Sequence, residues 1–320
     1  MIRSVLNKVP KVSVIIPNYN HAPYLKQRID SVLTQTFQDI EIIILDDAST
    51  DNSHEVIQAY LSDSRVSFHP NKTNSGSPFI QWNRGVQLAR GEYVWIAESD
   101  DYCTKDFLAT MVPLLDMHAN VGLAYCQSWR VDSDGNREGN MEWWTAELDT
   151  RRWNAGFINQ GRRECADYML WKNTIPNASA VLLRKKTYWE AGGAQLDMRL
   201  SGDWLTWVRM LMVSDVAFSS QCLNHFRFHA SSVRETTELP KSHEELWRVR
   251  HFISSNCRLS RPIRRKLAIQ AVNEWLVRFR TALPSERKKK AFRAFVSLLQ
   301  FFIAAPVTAI KTFKRRRHAK

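Results

Sequence analysis

Short apolar runs alternate with segments of helical periodicity through the first hundred residues of the sequence. The runs are rich in β-branched and aromatic residues and lie at 12–16, 40–45, 65–69 and 93–97. Between them, apolar positions recur every three or four residues, as in Leu25, Ile29 and Val32, and predict helices. Strands that alternate with helices favour a mostly parallel sheet flanked by helices on both faces. The predicted fold class is therefore α/β.

The predicted strand at 93–97 ends in three carboxylates. Glu98, Asp100 and Asp101 follow it within four residues. In an open α/β sheet, ligands bind at the carboxyl ends of the strands. Carboxylates packed this closely repel one another, so the pattern favours a divalent cation, Mg²⁺ or Mn²⁺, shared with a substrate diphosphate. The alternative interpretation is an acidic loop in which Asp101 caps the next helix.

A second acidic cluster, Asp46 and Asp47, ends the predicted strand at 40–45. The alternative is turn chemistry and helix capping, which Ser49 or Asp51 can already supply. Two acidic clusters at one edge of a sheet favour a functional site, because a carboxylate there can accept an N–H or O–H from a base or ribose. No G-x-G-x-x-G follows the first strand and no P-loop motif occurs, so a dinucleotide dehydrogenase and a P-loop NTPase are disfavoured.

The basic charge of the sequence is confined to its last quarter. The 320 residues carry a formal net charge of +13, but residues 241–320 alone contain 21 Lys and Arg against 4 Asp and Glu. The rest of the sequence is net negative. A nucleic-acid-binding protein that uses this basic tail is one alternative, but no recognisable reader motif is present, so we expect no nucleic-acid partner.

Cysteine use and the N-terminal residues predict a cytoplasmic location. Five cysteines are scattered without a C-x-x-C pair, which argues against a disulfide framework and a zinc site. This pattern is typical of a reducing compartment. Residues 1–11 lack an apolar core of signal-peptide length, so we expect no secretion.

Eight short motifs follow one another along residues 11–235. They are Val12–Asn20, Leu45–Asp51, Asn83–Tyr93, Glu98–Asp101, Asn177–Arg184, Ala191–Gly193, Gly202–Arg209 and Phe226–His229. In this order they resemble the successive signatures of family 2 glycosyltransferases, which are inverting enzymes with the GT-A fold. The ordered series is far more specific than any single motif.

The resemblance implies a GT-A domain at residues 11–235. Its first half, 11–125, would bind the nucleotide sugar, and its second half, 126–235, would hold the acceptor and the catalytic base. A helical, basic extension would follow at 236–320. The implied donor is a UDP- or dTDP-sugar, and the implied cofactor is Mg²⁺ or Mn²⁺.

The resemblance also implies roles for individual residues. Asp47 would contact a uracil-type base, Asp100 the ribose, and Asp101 the metal that bridges the diphosphate. Asp203 would be the general base. The expected donor contacts are Pro17, Tyr19, Asn20, Asp47, Asn83 and Asp100, and the expected metal ligands are Asp101 and His229.

Two positions depart from the family pattern. Glu98 stands where the first Asp of the metal motif is usual, which leaves its part in metal ligation open. Gly202 replaces the usual acid before Asp203. For His229, a structural role is the alternative to a place near the diphosphate or metal.

Asp203 also has a physical case of its own. An acceptor hydroxyl that attacks an anomeric carbon needs a base within hydrogen-bond reach and a stabiliser for the departing nucleotide diphosphate. A carboxylate and a metal ion supply these two functions. The alternative is that Asp203 caps a helix that runs from Trp204 to Met212.

Tryptophans are concentrated in one part of the sequence. Residues 129–172 hold five of the twelve, among them Trp143, Trp144 and Trp153. Because aromatic faces pack against the C–H surfaces of sugars, this region is the predicted acceptor site, with core packing as the alternative.

The basic extension favours attachment to a membrane surface. Helices are predicted at 244–259 and 264–283, and residues 294–310, which carry no charge, lie between two basic clusters. That segment is short for a bilayer span, which needs about 20 apolar residues. It favours an interfacial helix on anionic lipid over a helix docked on the catalytic domain.

The residues and the resemblance together predict a metal-dependent, inverting glycosyltransferase. It would move a sugar from a nucleotide diphosphate to an acceptor hydroxyl in a polysaccharide or lipid-linked glycan, at the cytoplasmic face of a membrane. The alternative within the same fold is a nucleotide-sugar-binding protein without catalysis, and donor turnover separates the two.

Overall fold

The structure, a computed structural model, describes residues 9–229 and 239–282, with the side chains of 9–229 and 244–273. Within this part of the chain, the residues up to Cys257 form one compact unit and the later residues belong to a second unit. The first unit contains the sheet, and the helix Arg261–Ala282 belongs to the second unit.

Ten strands in the described part of the chain form one sheet. They are β1 (Val12–Asn18), β2 (Ile40–Asp46), β3 (Val66–Pro70), β4 (Tyr93–Ile96), β5 (Tyr102–Cys103), β6 (Val121–Val131), β7 (Arg137–Asn140), β8 (Phe157–Asn159), β9 (Val181–Arg184) and β10 (Asp215–Arg227). Their order is β3-β2-β1-β4-β9-β6-β10-β5, with β7 beside β6 and β8 beside β10.

Helices connect most of these strands. They are α1 (Ala22–Leu33), α2 (Ser53–Gln58), α3 (Pro78–Leu88), α4 (Phe107–Asp116), α5 (Glu142–Thr145), α6 (Gly161–Glu164), α7 (Lys185–Glu190), α8 (Gly202–Leu211), α9 (Leu239–Asn256) and α10 (Arg261–Ala282). The predicted α/β class is confirmed.

Parallel pairing dominates the N-terminal half of the sheet. β1 pairs in parallel with β2 and β4, and β2 pairs in parallel with β3. β9 then lies between β4 and β6 and is antiparallel to both. β10 is parallel to β6, whereas β5, β7 and β8 add antiparallel edges. The sheet as a whole is therefore mixed, and its parallel half carries both acidic clusters.

Helices cover both faces of the central strand β1. Val14 and Ile16 belong to the apolar cluster that contains Leu25 of α1. Ile15 faces the other side, where α3 approaches so closely that a Cβ on Gly85 would lie 2.4 Å from Ile15 Cγ2. Successive residues of a strand face opposite sides of a sheet, so α1 and α3 cover different faces, as the sequence predicted.

A buried network joins β1 and β2 to the start of β4. Ser13 Oγ donates to Glu41 Oε1 (2.6 Å) and accepts the backbone N–H of Gly91 (2.8 Å). The backbone N–H and Nε of Arg90 donate to the same Glu41 carboxylate, each at 2.7 Å. Gly91 packs so closely on β1 that a Cβ would lie 2.7 Å from the Ser13 nitrogen. These contacts fix β4, the strand that leads to the acidic turn at residues 98–101.

Helix α9 belongs to the first unit, although the sequence placed it in a separate extension from residue 236. Val249 and Ile253 of α9 are fully buried, so this helix is part of the core. The boundary between the two units lies later in the chain, after Cys257. Across residues 9–229 and 239–282, no helix is both long and apolar enough to cross a bilayer. The uncharged segment 294–310 and its basic flanks lie outside the described residues.

Candidate active site

Buried polar side chains form hydrogen bonds with the backbone of the acidic turn after β4. The backbone N–H of Glu98 donates to Ser179 Oγ (3.1 Å), and Arg28 Nε donates to the Glu98 carbonyl (2.9 Å). Trp95 Nε1 donates to the Ser179 carbonyl (2.8 Å). Arg28 and Ser179 are fully buried. Because these contacts fix its backbone, the turn presents its carboxylates in a defined arrangement.

One carboxylate of the turn lies in a cluster with two histidines. Asp100 Oδ2 is 2.9 Å from Nε2 of His229, which follows β10. His21 precedes α1, and its ring centroid is 5.7 Å from that of His229. One possible ligand atom from each of the three residues lies within 4.8 Å of the other two. A carboxylate oxygen with two imidazole nitrogens fits a divalent transition ion such as Mn²⁺ better than Mg²⁺, which prefers oxygen ligands.

Asp101 is engaged elsewhere. Its Oδ1 accepts the backbone N–H of Arg227 (2.9 Å), it is hydrogen-bonded to Ser179, and it is buried. It does not cap the next helix, because α4 begins at Phe107 with Asp106 at the N-cap. The structure thus groups Asp100, rather than Asp101, with His229. The role of Asp101 as a metal ligand stays a prediction.

Arg227 connects the end of β10 to the acidic turn. Its Nε donates to the Asp100 carbonyl (2.7 Å), and its Nη2 donates to Gln27 of α1 (2.6 Å). The side chain is buried. His229 follows two residues later, so the contacts of Arg227 bring the end of β10, the acidic turn and α1 together.

The three carboxyls of the turn differ in pKa because their surroundings differ. Burial, together with the charge of Asp100, raises the pKa of Glu98 to about 8 and that of Asp101 to about 7. Burial by itself would also raise the pKa of Asp100, but the hydrogen bond with His229 and the interaction with His21 hold it below its usual value. Burial lowers the pKa of His21. An ionised Asp100 beside a neutral His21 matches the protonation states that metal binding requires.

At the end of β2, Asp46 and Asp47 organise different loops. Asp46 is fully buried and accepts hydrogen bonds from Asn18 Nδ2 (2.8 Å) and Ser49 Oγ (2.6 Å). Neither Asp is a helix cap, because Asn52 is at the N-cap of α2. Asp46 therefore joins the ends of β1 and β2.

Asp47 is a buried carboxylate that accepts four hydrogen bonds from the loop 71–75 and from α3. The donors are Asn71 Nδ2, the N–H and hydroxyl of Ser75, and Gln81 Nε2, at 2.5 to 2.9 Å. A base N–H would have to share or displace one of these donors. The contact of Asp47 with a base stays a prediction.

The expected donor contacts after β1 have different exposures. Pro17 is buried in the sheet, whereas Tyr19 is 45% exposed. Asn20 has a left-handed backbone (φ 55°), and its Oδ1 accepts the backbone N–H of Thr50 (2.7 Å). Tyr19 therefore offers an accessible ring at the same sheet edge as the acidic clusters.

Asn83 is engaged in packing α3 on the segment after α7. Its Oδ1 accepts the hydroxyl of Tyr188 (2.7 Å) and the N–H of Ala194 (3.0 Å), and its Nδ2 donates to the Ala194 carbonyl (2.9 Å). These bonds give Asn83 a structural function. Its contact with the donor stays a prediction.

Asp203 lies in the first turn of α8 and is partly exposed. Asn173 Nδ2 donates to its Oδ2 (3.1 Å), and the N–H of Trp204 donates to its Oδ1 (2.6 Å). The helix begins at Gly202 with Ser201 at the N-cap, so the alternative in which Asp203 is the N-cap is wrong. An accessible, oriented carboxylate is suited to proton abstraction. No motif in the sequence predicts the contact of Asn173 with Asp203.

Gly202 leaves no room for the acid that is usual at its position. A Cβ on Gly202 would lie 2.4 Å from Cε2 of Phe79, a buried residue of α3. Further along α8, the ring of Trp207 is 5.7 Å from that of Trp82, whose Nε1 donates to Glu98 (2.8 Å). Helix α3 therefore connects the helix of Asp203 to the acidic turn.

The tryptophans of residues 129–172 lie in different environments. Trp153 is buried and donates to the Tyr125 hydroxyl (2.8 Å), as the core alternative expects. Trp144 Nε1 donates to the Asn173 carbonyl (2.7 Å), next to Asp203, and Trp143 is 51% exposed. An acceptor site in this region stays a prediction.

The chain belongs to glycosyl transferase family 2, whose model matches residues 13–190. GlyG, a glycosyltransferase of Streptococcus pneumoniae, is 37% identical over 129 residues, which are 39% of this chain and 42% of GlyG. TuaG of Bacillus subtilis, a putative teichuronic acid biosynthesis glycosyltransferase, is 29% identical over 230 residues, 71% of this chain and 82% of TuaG. The match thus spans less than half of GlyG but most of TuaG.

Solved structures share the fold at low sequence identity. Residues 1–349 of Staphylococcus aureus TarS in complex with UDP give a TM-score of 0.61 at 17% identity, over 95% of this chain and 78% of that chain. The mannosyltransferase PcManGT of Pyrobaculum calidifontis, in complex with GDP-Man and Mn²⁺, gives 0.53 at 15% identity, over 91% and 81%. The expected GT-A fold is confirmed.

Proposed function

We propose that the protein transfers a sugar from a nucleoside diphosphate donor to an acceptor hydroxyl, with inversion at the anomeric carbon. The observation that carries this proposal is the cluster of His21, Asp100 and His229 at the carboxyl edge of the sheet, in a chain of glycosyl transferase family 2. Family membership supports sugar transfer, and the cluster supports a cation beside a diphosphate.

The cluster would hold a divalent cation, with Mn²⁺ favoured by the mixed nitrogen and oxygen ligands. When bound, such an ion neutralises charge on the departing diphosphate. The Mn²⁺ in PcManGT supports this choice. Asp100 would supply a carboxylate oxygen, and His21 and His229 would each supply an imidazole nitrogen.

Asp203 acts as the general base in this proposal. The acceptor oxygen forms a bond to the anomeric carbon while the bond from that carbon to the diphosphate oxygen breaks, and Asp203 takes the hydroxyl proton. A single displacement of this kind inverts the configuration. The hydrogen bond from Asn173 would hold the carboxylate toward the acceptor.

The favoured donor is a UDP- or dTDP-sugar, bound at the ends of β1, β2 and β4. Tyr19 would pack on the base, and Asp47 would accept its N–H. The UDP complex of TarS supports a uracil donor. The acceptor is a surface polysaccharide or lipid-linked glycan, which the name of TuaG supports, and the basic tail would hold the enzyme on the cytoplasmic face of a membrane.

Donor turnover tests the proposal against its alternative, a nucleotide-sugar-binding protein without catalysis. The protein is incubated with a panel of UDP-, dTDP- and GDP-sugars and Mn²⁺, and release of the nucleoside diphosphate is measured. We expect hydrolysis of one donor class, loss of hydrolysis in excess EDTA, and recovery with Mn²⁺. Binding of a nucleotide sugar without turnover in every condition, including added glycan acceptors, would favour the alternative.

A further inference from the structure

Glu245 of α9 is a buried carboxylate that binds the backbone just before α8. Its Oε1 accepts the N–H of Arg199 (2.7 Å), and its Oε2 accepts the N–H groups of Leu200 and Ser201 (both 2.8 Å). The residue is only 3% exposed. Three backbone N–H groups thus donate to one buried carboxyl group, which fixes the segment 199–201 to α9.

The segment that Glu245 binds leads directly into the first turn of α8. Ser201 is the N-cap, and its side chain makes no capping hydrogen bond. Glu245 thus binds the N-cap residue and the two residues before it, and it anchors the segment that leads into α8 rather than the N–H groups of the first turn. Asp203 follows two residues later, so the place of its carboxylate depends on where this segment is held.

Helix α9 also contacts the segment that contains Asn173, the hydrogen-bond partner of Asp203. Arg250 of α9 is buried, and its Nη2 donates to the carbonyl of Trp171 (3.2 Å). Asn173, two residues after Trp171, donates to Asp203. Helix α9 therefore contacts the backbone next to both partners of the hydrogen bond between Asn173 and Asp203.

We propose that Glu245 is a positioning residue for sugar transfer and acts through Asp203. The inference rests on the proposed role of Asp203 as general base. A base contributes only within hydrogen-bond reach of the proton it takes, and a misplacement of about 1 Å can cost about 100-fold in rate. The residues expected to bind the donor lie on other elements, at the ends of β1, β2 and β4 and in α3. Loss of Glu245 should therefore reduce turnover more than donor affinity.

Two adjacent glutamates of α9 provide the test in the full-length protein. Glu245→Gln keeps one oxygen that can accept the N–H groups of Leu200 and Ser201, but it turns an NH₂ group toward the N–H of Arg199. Glu245→Ala removes all three bonds. Glu244 is exposed, so Glu244→Gln is the matched control. The measurements are thermal unfolding, kcat with the donor selected by the hydrolysis panel, and the Kd of the matching diphosphate, UDP for a UDP-sugar.

We expect kcat to fall about tenfold in Glu245→Gln and about 100-fold in Glu245→Ala, with the Kd of the nucleoside diphosphate within about twofold of wild type. Glu244→Gln should match wild type in both. If α9 only stabilised the fold, the Glu245 substitutions would not lower kcat while leaving the Kd of the nucleoside diphosphate unchanged.

Two results would overturn the inference. One is wild-type kcat in Glu245→Ala, and the other is a loss of nucleotide affinity as large as the loss of kcat. If Glu245→Ala does not fold, Glu245→Gln decides by the same criteria. Failure of the proposed function looks different, because either no donor would be turned over by the wild-type protein or Asp203→Asn would keep wild-type turnover. Failure of this inference alone leaves Asp203→Asn inactive and Glu245→Gln active.

Discussion

Asp203 is the residue on which transfer should depend most directly. Asp203→Asn keeps the size of the side chain and an oxygen acceptor but removes the basic carboxylate. We expect kcat to fall about 100-fold or more, the scale of a lost general base, with donor affinity nearly unchanged. Single-turnover kinetics and nucleotide titration measure the two quantities. Asp197 is exposed, so Asp197→Asn is a control, and normal turnover in folded Asp203→Asn would exclude the base role.

The cluster around Asp100 predicts which carboxylate of the turn binds the cation. We expect Asp100→Asn and His229→Ala each to weaken Mn²⁺ binding by at least about tenfold. Removal of a residue that only hydrogen-bonds to a metal ligand already has an effect of about that size. Asp101→Asn keeps an acceptor for the N–H of Arg227 and should bind Mn²⁺ nearly as wild type does. Titration of free Mn²⁺ by electron paramagnetic resonance measures all three. The reverse order would return the ligand role to Asp101.

At the level of single residues, the sequence located the acids but not all of their partners. Asp46, Asp47, Asp100 and Asp101 could be found because acids at the ends of apolar strands form a local pattern. Asn173 approaches Asp203 only through the fold, and nothing in its own stretch indicates this. His21 had one usable signal, since it directly follows a motif residue expected to bind the donor.

Among the secondary structure elements, the start of β4 depends on a glycine. A Cβ at Gly91 would lie 2.7 Å from the backbone nitrogen of Ser13, which cannot move without shifting β1. We therefore expect Gly91→Ala to lower the free energy of unfolding by about 1–3 kcal/mol, the usual cost of overpacking. Urea unfolding followed by tryptophan fluorescence measures it. An unchanged midpoint would mean that β1 and the turn before β4 can separate without cost.

Elements that are specified by local interactions were easier to predict from the sequence than elements that depend on distant contacts. The first four strands were predicted within a few residues, and helices were expected between them, because apolar runs and helical periodicity are local signals. Strands β5 and β8 have only two and three residues, and β7 contains no apolar residue, so none of them shows a pattern. The place of β9 between β4 and β6 depends on long-range pairs such as Trp95 with Leu182. The burial of α9 depends on the same kind of distant contact.

For the whole molecule, the charge distribution predicts attachment to anionic membranes. Residues 241–320 carry 21 Lys and Arg, and each basic residue near an anionic surface contributes about 1 kcal/mol. We expect the full-length protein to co-sediment with vesicles that contain phosphatidylglycerol, and a protein truncated after Pro284 to stay in the supernatant. Nucleotide binding should be the same in both, because the proposed donor site lies in the first unit.

Salt and lipid composition serve as controls for this prediction. High salt should release an interfacial protein from the vesicles, because screening weakens the attraction between basic residues and lipid. Vesicles of neutral lipid should bind little. A full-length protein that never co-sediments with anionic vesicles would contradict the prediction, and resistance to both salt and alkaline carbonate would indicate a spanning segment.

The contact between Gly202 and Phe79 restricts the evolutionary paths open to this chain. With Phe79 in place, a Cβ at position 202 would overlap the aromatic ring, so an acid cannot be introduced there by a single substitution unless the ring moves. The residue at 79 has to become smaller first, or change at the same time. Phe79 is therefore tolerated only with glycine at position 202, whereas glycine at 202 does not require Phe79.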